Sequence, residues 1–247
     1  PAFDGLITYG YHEACTPRVL AIAMELKFRA VILGIWEPKS ADEVDGVAKL
    51  IAHHQDDFAL AVIVGNEGLT FKRYEQDDLR FALARLRRAL PPDIPLTTTE
   101  PLVGYKQEFV RNYGDFLAPN IHPVFDAPQL DAAKSVAWTN EQAMELAKQT
   151  GKLVVVKETG FPHAGKQQYT LAAQRDFWAA WMKKPLHAKV EGERAGSVFR
   201  GVAFEAFDLP WKSEASGLSI ERAWGVMSAD RKPHPAFEVW RSQAVSH

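Results

Sequence analysis

Two glutamates stand at the ends of runs that are otherwise almost wholly apolar. Ala61-Val62-Ile63-Val64 leads into Gly65-Asn66-Glu67, and Leu153-Val154-Val155-Val156 leads into Lys157-Glu158. A carboxylate at the top of a buried strand is desolvated, which raises its pKa unless partners offset the effect. Two carboxylates with opposed protonation needs are the equipment for cleaving a glycosidic bond. One is protonated to help the leaving oxygen depart, and the other is ionised, to attack the anomeric carbon or to activate water. For either residue alone, a salt-bridged strand end explains the sequence as well. The shared loop context of the pair weakens that explanation.

Elements must exist to hold them there. Short apolar runs recur at Leu6–Tyr9, Ala30–Trp36, Leu60–Asn66, Ile94–Thr98, Phe116–His122, Leu153–Glu158 and Gly201–Phe207. Several are rich in Val and Ile and apolar on both faces, as strands of a helix-covered parallel sheet are. Helix signals lie between them. Thr16-Pro17 places a capping hydroxyl before a proline, and Ser40–Glu43 and Thr139–Gln142 both carry capping-box spacing. Asp78–Leu90 lines up Leu79, Leu83, Leu86 and Leu90 on one stripe. Strand and helix in alternation predict an α/β fold. Neither G-x-G-x-x-G nor G-x-x-x-x-G-K-[ST] occurs, which disfavours a doubly wound nucleotide binder and leaves a TIM (β/α)8-type barrel. No repeat or linker justifies a cut, so residues 1–247 read as one domain.

Composition is consistent with that. The chain has 247 residues, 24% charged, with a net charge of -2, which argues against nucleic acid as the main partner. No apolar run reaches the ~20 residues of a membrane span. The start at Pro1, without methionine or leader, suggests an excised or processed piece. Cys15, the single cysteine, reads as a small, partly buried side chain. His53-His54 has no third ligand nearby and reads as a solvated helix face, and His234 and His247 read as surface residues. No metal and no cofactor enter the reading. Arg85–Leu90 reads as a solvated basic helix end. Glu37 and Glu100 read as further site acids or as rim ion pairs.

The expected strand ends collect amide, acidic and aromatic side chains: Thr8-Tyr9-Gly10, Ile35-Trp36-Glu37, Asn66-Glu67, Thr99-Glu100, Asn120-Ile121-His122-Pro123, Glu158-Thr159-Gly160 and Phe204–Asp208. In a parallel barrel that end is where the active site forms. Val64–Glu67, Lys157-Glu158-Thr159-Gly160-Phe161-Pro162 and Phe204-Glu205-Ala206-Phe207-Asp208-Leu209-Pro210-Trp211-Lys212 together resemble glycoside hydrolase family 17 in its compact bacterial form. Tyr9-Gly10, Leu33–Trp36 and Asn120–Pro123 are softer matches in the same order, so the resemblance covers nearly the whole chain.

The resemblance implies a retaining glycosidase or transglycosylase on β-1,3-glucan, with Glu158 as nucleophile and Glu67 as acid/base. Retention requires carboxyl groups about 5–5.5 Å apart. It implies Asn66 on the sugar 2-hydroxyl, Tyr9 orienting Glu158, and Trp36, Phe161 and Trp211 as stacking faces. Glu205, Asp208 and Lys212 would be further substrate contacts, and His122 is either a sugar contact or a satisfied strand-end histidine. A branching or elongating glucanosyltransferase, or a non-catalytic glucan-binding barrel, stays open beside it. Leu209 departs from the family, where that position is often glutamate.

The family places these glutamates on strands four and seven, and here they end the third and sixth expected strands. The first β/α unit is therefore expected to be missing, with a partner or an upstream segment covering the open edge. A periplasmic, secreted or membrane-tethered setting is implied by the resemblance alone.

Overall fold

The computed structural model describes residues 2–191 and 195–244. The chain divides into two compact units, Phe3–Ala118 and the remainder from Pro119, which also takes in Ala2. His247 lies outside the described residues. No helix among the described residues is long and apolar enough to cross a membrane.

The N-terminal unit alternates β1 (Gly5–Ile7), α1 (Thr16–Glu25), β2 (Ala30–Ile35), α2 (Ala41–His54), β3 (Ala59–Asn66), α3 (Gln76–Ala89), β4 (Leu96–Thr99) and the short α4 (Glu108–Asn112). Its four strands form one parallel sheet in the order β1-β2-β3-β4, with Ile32 beside Ala61 and Ile35 beside Val64. Val31, Leu33, Ile35, Val62 and Val64 are fully buried and pack with Leu20, Val47, Ile51, Leu79 and Leu86 from the helices. The apolar runs at Ala30–Trp36 and Leu60–Asn66 are thus strands, to within a residue. Among the described residues no strand pairs with the outer edge of β1.

Local chemistry sets the helix starts. Ser40 caps α2, its hydroxyl accepting from Glu43 N–H at 3.2 Å. The Glu43 carboxylate does not return to the cap. It accepts from Trp36 N–H at 2.8 Å and pins the loop after β2. At α1 the helix begins at Thr16 itself, after an exposed Cys15. The buried Thr16 hydroxyl accepts from His12 N–H at 2.8 Å instead of capping the helix. Of the two histidines of α2, His53 faces solvent. His54 is buried and meets Asp57 at 2.8 Å, because the polypeptide turns under it after the helix. Gly34 allows β1 to end tightly against β2, since a Cβ there would lie 2.3 Å from Thr8 O.

The C-terminal unit holds α5 (Pro123–Asp126), α6 (Ala132–Thr150), β5 (Leu153–Val155), α7 (Leu171–Trp181), β6 (His187–Val190), β7 (Gly196–Phe199), α8 (Pro210–Ser216) and α9 (Pro235–Ala244). Its sheet runs β5-β7-β6, with β5 parallel and β6 antiparallel to β7. The strand expected at Gly201–Phe207 lies earlier, at Gly196–Phe199, and 201–207 is irregular apart from one bridge between Phe207 and Met227. The run at Phe116–His122 forms no regular strand. Thr97 and Thr99 hydroxyls donate to Phe116 O and Ala118 O, while Asn120 bridges Glu158 in parallel.

Helix α6 starts at Asp131, whose carboxylate accepts from Lys134 N–H at 2.8 Å, not at Thr139. Thr139 and Asn140 sit inside the helix, buried. Asn140 Oδ1 accepts from the buried Arg200 guanidinium, and Arg200 also donates to Pro185 O at 3.1 Å. Asn140, which reads as part of a cap in sequence, is therefore an acceptor for a buried cation. The unit's core is aromatic: Phe177, Trp178 and Trp181 of α7 are fully buried, and Trp178 meets Trp240 of α9 edge-on at 5.0 Å.

Candidate active site

In the N-terminal unit, Glu67 follows β3 directly, and its N–H donates to Thr99 O at 2.8 Å. The turn that presents it is bent by two left-handed residues, Gly65 at φ +75° and Glu67 itself at φ +58°. At Gly65 a Cβ would meet the buried Tyr74 hydroxyl at 2.1 Å, and that hydroxyl accepts from Gly68 N–H at 3.0 Å. Glu100 is fully buried, with one oxygen taking Leu69 N–H and the other Thr70 N–H, both at 3.0 Å. Burial raises its pKa against those bonds. Glu100 is accordingly the fastening of the Glu67 loop and not a rim ion pair. Glu37 is spent locally, accepting from Lys39 N–H at 3.3 Å.

Arg73, which the sequence did not single out, donates to Asn66 O and lies over the Trp36 ring at 4.2 Å. It therefore ties the stacking candidate Trp36 to the loop that carries Asn66 and Glu67. Trp36 and Tyr9 are both exposed, as faces for a ligand must be.

In the C-terminal unit, Glu158 is buried and held on both oxygens. Lys157 Nζ lies 2.6 Å from Oε1 and His122 Nε2 3.1 Å from Oε2. Burial alone pushes this carboxyl up, but the Lys157 ammonium and the His122 bond outweigh it and hold the group well below the usual carboxylate range. Lys157 is itself only 2% exposed. The buried Nδ1 of His122 has no hydrogen-bond partner, which places the ring proton on Nε2, facing Glu158. Three aromatic rings close in on His122: Phe204 at 5.2 Å, Trp224 at 5.1 Å and Phe125 at 5.9 Å. Of the two readings of His122, the structure shows at least the satisfied one, bonded to Glu158.

Glu205 stands near this pair. Its pKa is pushed up to about 7, by burial first, with the Glu158 and Glu221 charges adding to the rise and Lys212 opposing it. Lys212 Nζ lies 3.3 Å from Glu205 and 3.5 Å from Glu221, and sits over the Phe204 ring at 4.6 Å. Glu221 was not visible as a site residue because its motif context is a 3-10 turn, Ser219–Arg222.

The raised value has a stability consequence. The unfolded carboxyl releases its proton near its model value of 4.5 and the folded one only near 7, so the folded state binds the extra proton between them. Stability therefore falls as pH rises through that window, by on the order of 3 kcal/mol. Urea midpoints of the wild type should decline from pH 4.5 to 7.5 more steeply than those of Glu205→Gln. Equal slopes would contradict the assignment.

Two expected contacts are placed differently. Phe161 is 2% exposed, stacked on Phe177 and edge-on to Tyr169, so its ring belongs to the core and offers no stacking face. Asp208 has both oxygens engaged by His163, His234 and Gly225 N–H. His234 is thus a part-buried network member and not a surface residue. Trp211 is 60% exposed, on α8.

Comparison with known proteins agrees with the motifs. The model of the BtgE/BtgC glycoside hydrolase domain matches residues 2–225. A probable glucan endo-1,3-beta-glucosidase btgC of Aspergillus flavus is 26% identical over 253 residues, covering 87% of this chain and 35% of the relative. The chain thus spans about a third of that relative's length. The crystal structure of a glycoside hydrolase family 17 beta-1,3-glucanosyltransferase from Rhizomucor miehei superposes with a TM-score of 0.69 at 19% identity, covering 96% of this chain and 86% of that one. An active-site mutant of the same enzyme in complex with laminaritriose gives a TM-score of 0.67 at 20% identity, covering 94% and 85%. These structures share its fold, and on the family match the chain belongs to the BtgE/BtgC glycoside hydrolase domain family.

Proposed function

We propose that this domain is a retaining glycosidase or transglycosylase acting on β-1,3-glucan. Glu158 is the nucleophile, forming a covalent glucosyl-enzyme, and Glu67 protonates the leaving oxygen and later activates the acceptor. The observation that carries the reading is the buried Glu158 carboxylate, bonded on each oxygen and held ionised by Lys157 and His122. A nucleophilic carboxylate must be charged at working pH, and an ion of that kind is costly to bury without such partners. Glu67, part-buried on a turn bent to present it, has the more open setting that a proton shuttle needs. Asn66, Tyr9, Trp36, Trp211, Glu205 and Lys212 are the proposed sugar contacts.

The domain is further proposed to be a single (β/α) barrel that lacks its first β/α unit. The outer edge of β1, on which no strand pairs among the described residues, and the position of Glu67 after the third strand support this. A partner or an upstream segment would then cover that edge.

The Rhizomucor relative is named a glucanosyltransferase, which favours transfer as the second reading. The two share the covalent intermediate and differ in whether water or a sugar hydroxyl releases it. Incubation with β-1,3-gluco-oligosaccharides, followed over time by mass spectrometry, separates them. Products longer than the substrate indicate transfer, and shorter ones alone indicate hydrolysis. An unchanged oligosaccharide pool would overturn the enzyme reading in favour of a glucan-binding barrel.

A further inference from the structure

We propose that His163, Asp208 and His234 bind a divalent transition-metal ion, zinc by their ligand chemistry. The three residues come from separate parts of the C-terminal unit: the loop after Glu158, the Phe204–Lys212 motif, and the segment before α9. Both imidazoles aim Nε2 at the Asp208 carboxylate: His163 lies 3.0 Å from Oδ1 and 3.1 Å from Oδ2, and His234 lies 2.9 Å from Oδ2. The three donor atoms all lie within 4.8 Å of one another. A tetrahedral zinc site with bonds near 2.0–2.1 Å sets its donors about 3.3 Å apart, so small side-chain shifts admit the ion. Two neutral imidazoles and one carboxylate form a set that zinc accepts, with the fourth position left to water.

Preorganisation is the stronger argument. One largely buried segment, Ala223–Met227, fixes all three ligands through its backbone. Ala223 O accepts from His163 N–H at 2.9 Å, Val226 O from His234 N–H at 3.0 Å, and Met227 O from Asp208 N–H at 2.8 Å. Gly225 N–H donates to Asp208 Oδ1 at 2.9 Å and fixes the carboxylate with Oδ2 between the two histidines. This is the outer-shell arrangement that orients a ligating carboxylate. The side chains are 12–15% exposed, enough for an ion to enter from solvent. The bound ion would staple the three loops to one strip of core, and it takes no part in the chemistry proposed for Glu158 and Glu67.

The test uses the chelator-stripped, tag-free chain, titrated with Zn²⁺ by calorimetry and with Co²⁺ by visible absorption. One Zn²⁺ per chain at about micromolar affinity or tighter is expected, with a rise in Tm and a Co²⁺ band typical of nitrogen and oxygen ligation. His234→Gln keeps an N–H for Asp208 but is a poor metal ligand, and should weaken binding about 100-fold or more. His163→Gln is the second variant, so that one misfolded protein does not decide the result. Millimolar binding in the wild type, or tight binding that survives in both folded variants, would falsify the site and leave a purely hydrogen-bonded cluster.

Discussion

Replacing Glu158 by Gln is expected to abolish turnover of β-1,3-gluco-oligosaccharides, by about 10⁴-fold or more in kcat/KM. That corresponds to about 5.4 kcal/mol of transition-state stabilisation. The amide fills the same space and its oxygen still accepts from Lys157, while its NH2 takes the place of the oxygen that faced His122, but it cannot form the ester to the anomeric carbon. Oligosaccharide binding, measured by calorimetry, should persist, because Trp36, Trp211 and Asn66 are untouched. The substitution leaves the Lys157 ammonium buried without its counter-charge, so circular dichroism must show a folded variant before kinetics are read. Residual turnover within tenfold of wild type would remove Glu158 from the nucleophile role.

The second large effect is at Lys157. Lys157→Met removes the closest positive charge from a carboxylate that is already desolvated, and burial then dominates. The Glu158 pKa rises, and the acid limb of the pH–rate profile moves to higher pH. Stability should respond as well. In the wild type the folded pKa lies below the unfolded value near 4.5, so its contribution is fully present above that pH and lost as pH falls toward the folded pKa. Breaking a buried ion pair on one side costs about 3–5 kcal/mol, and the His122 bond should hold the loss toward the lower figure. The diagnostic readout is the acid limb. A variant that is merely less stable would keep its position once measurements are confined to the folded range, and that result would count against an electrostatic role.

The alternation of strands and helices was legible in the sequence, for definite physical reasons. Glu67 and Glu158 announce themselves because each ends an apolar strand with a charge. The β-branched runs of β2 and β3 permit few other readings. The errors have equally specific sources. Gly201–Phe207 is apolar because Phe204 packs on His122 and Trp224, not because it pairs in a sheet. The true strands there are short, and His187–Val190, on the sheet edge, carries a histidine and a lysine. Asn140 imitates part of a cap because a buried arginine 60 residues later needs an acceptor. Phe161 sits in the most specific motif and yet faces the core. Lys157, His122, Arg73 and Glu43 act through partners distant in sequence or through a reversal of expected side-chain direction, and periodicity carries no information about either.

The backbone at Glu67 bears on the history of the domain. Its φ of +58° is a conformation that glycine or asparagine adopts more readily than glutamate, by roughly 1–2 kcal/mol for a glycine. Glutamate is kept there against a backbone cost, and the proposed acid/base role gives a reason for keeping it. On that proposed role, descendants that no longer turn over glucan should exchange residue 67 for glycine or asparagine more readily than those that do.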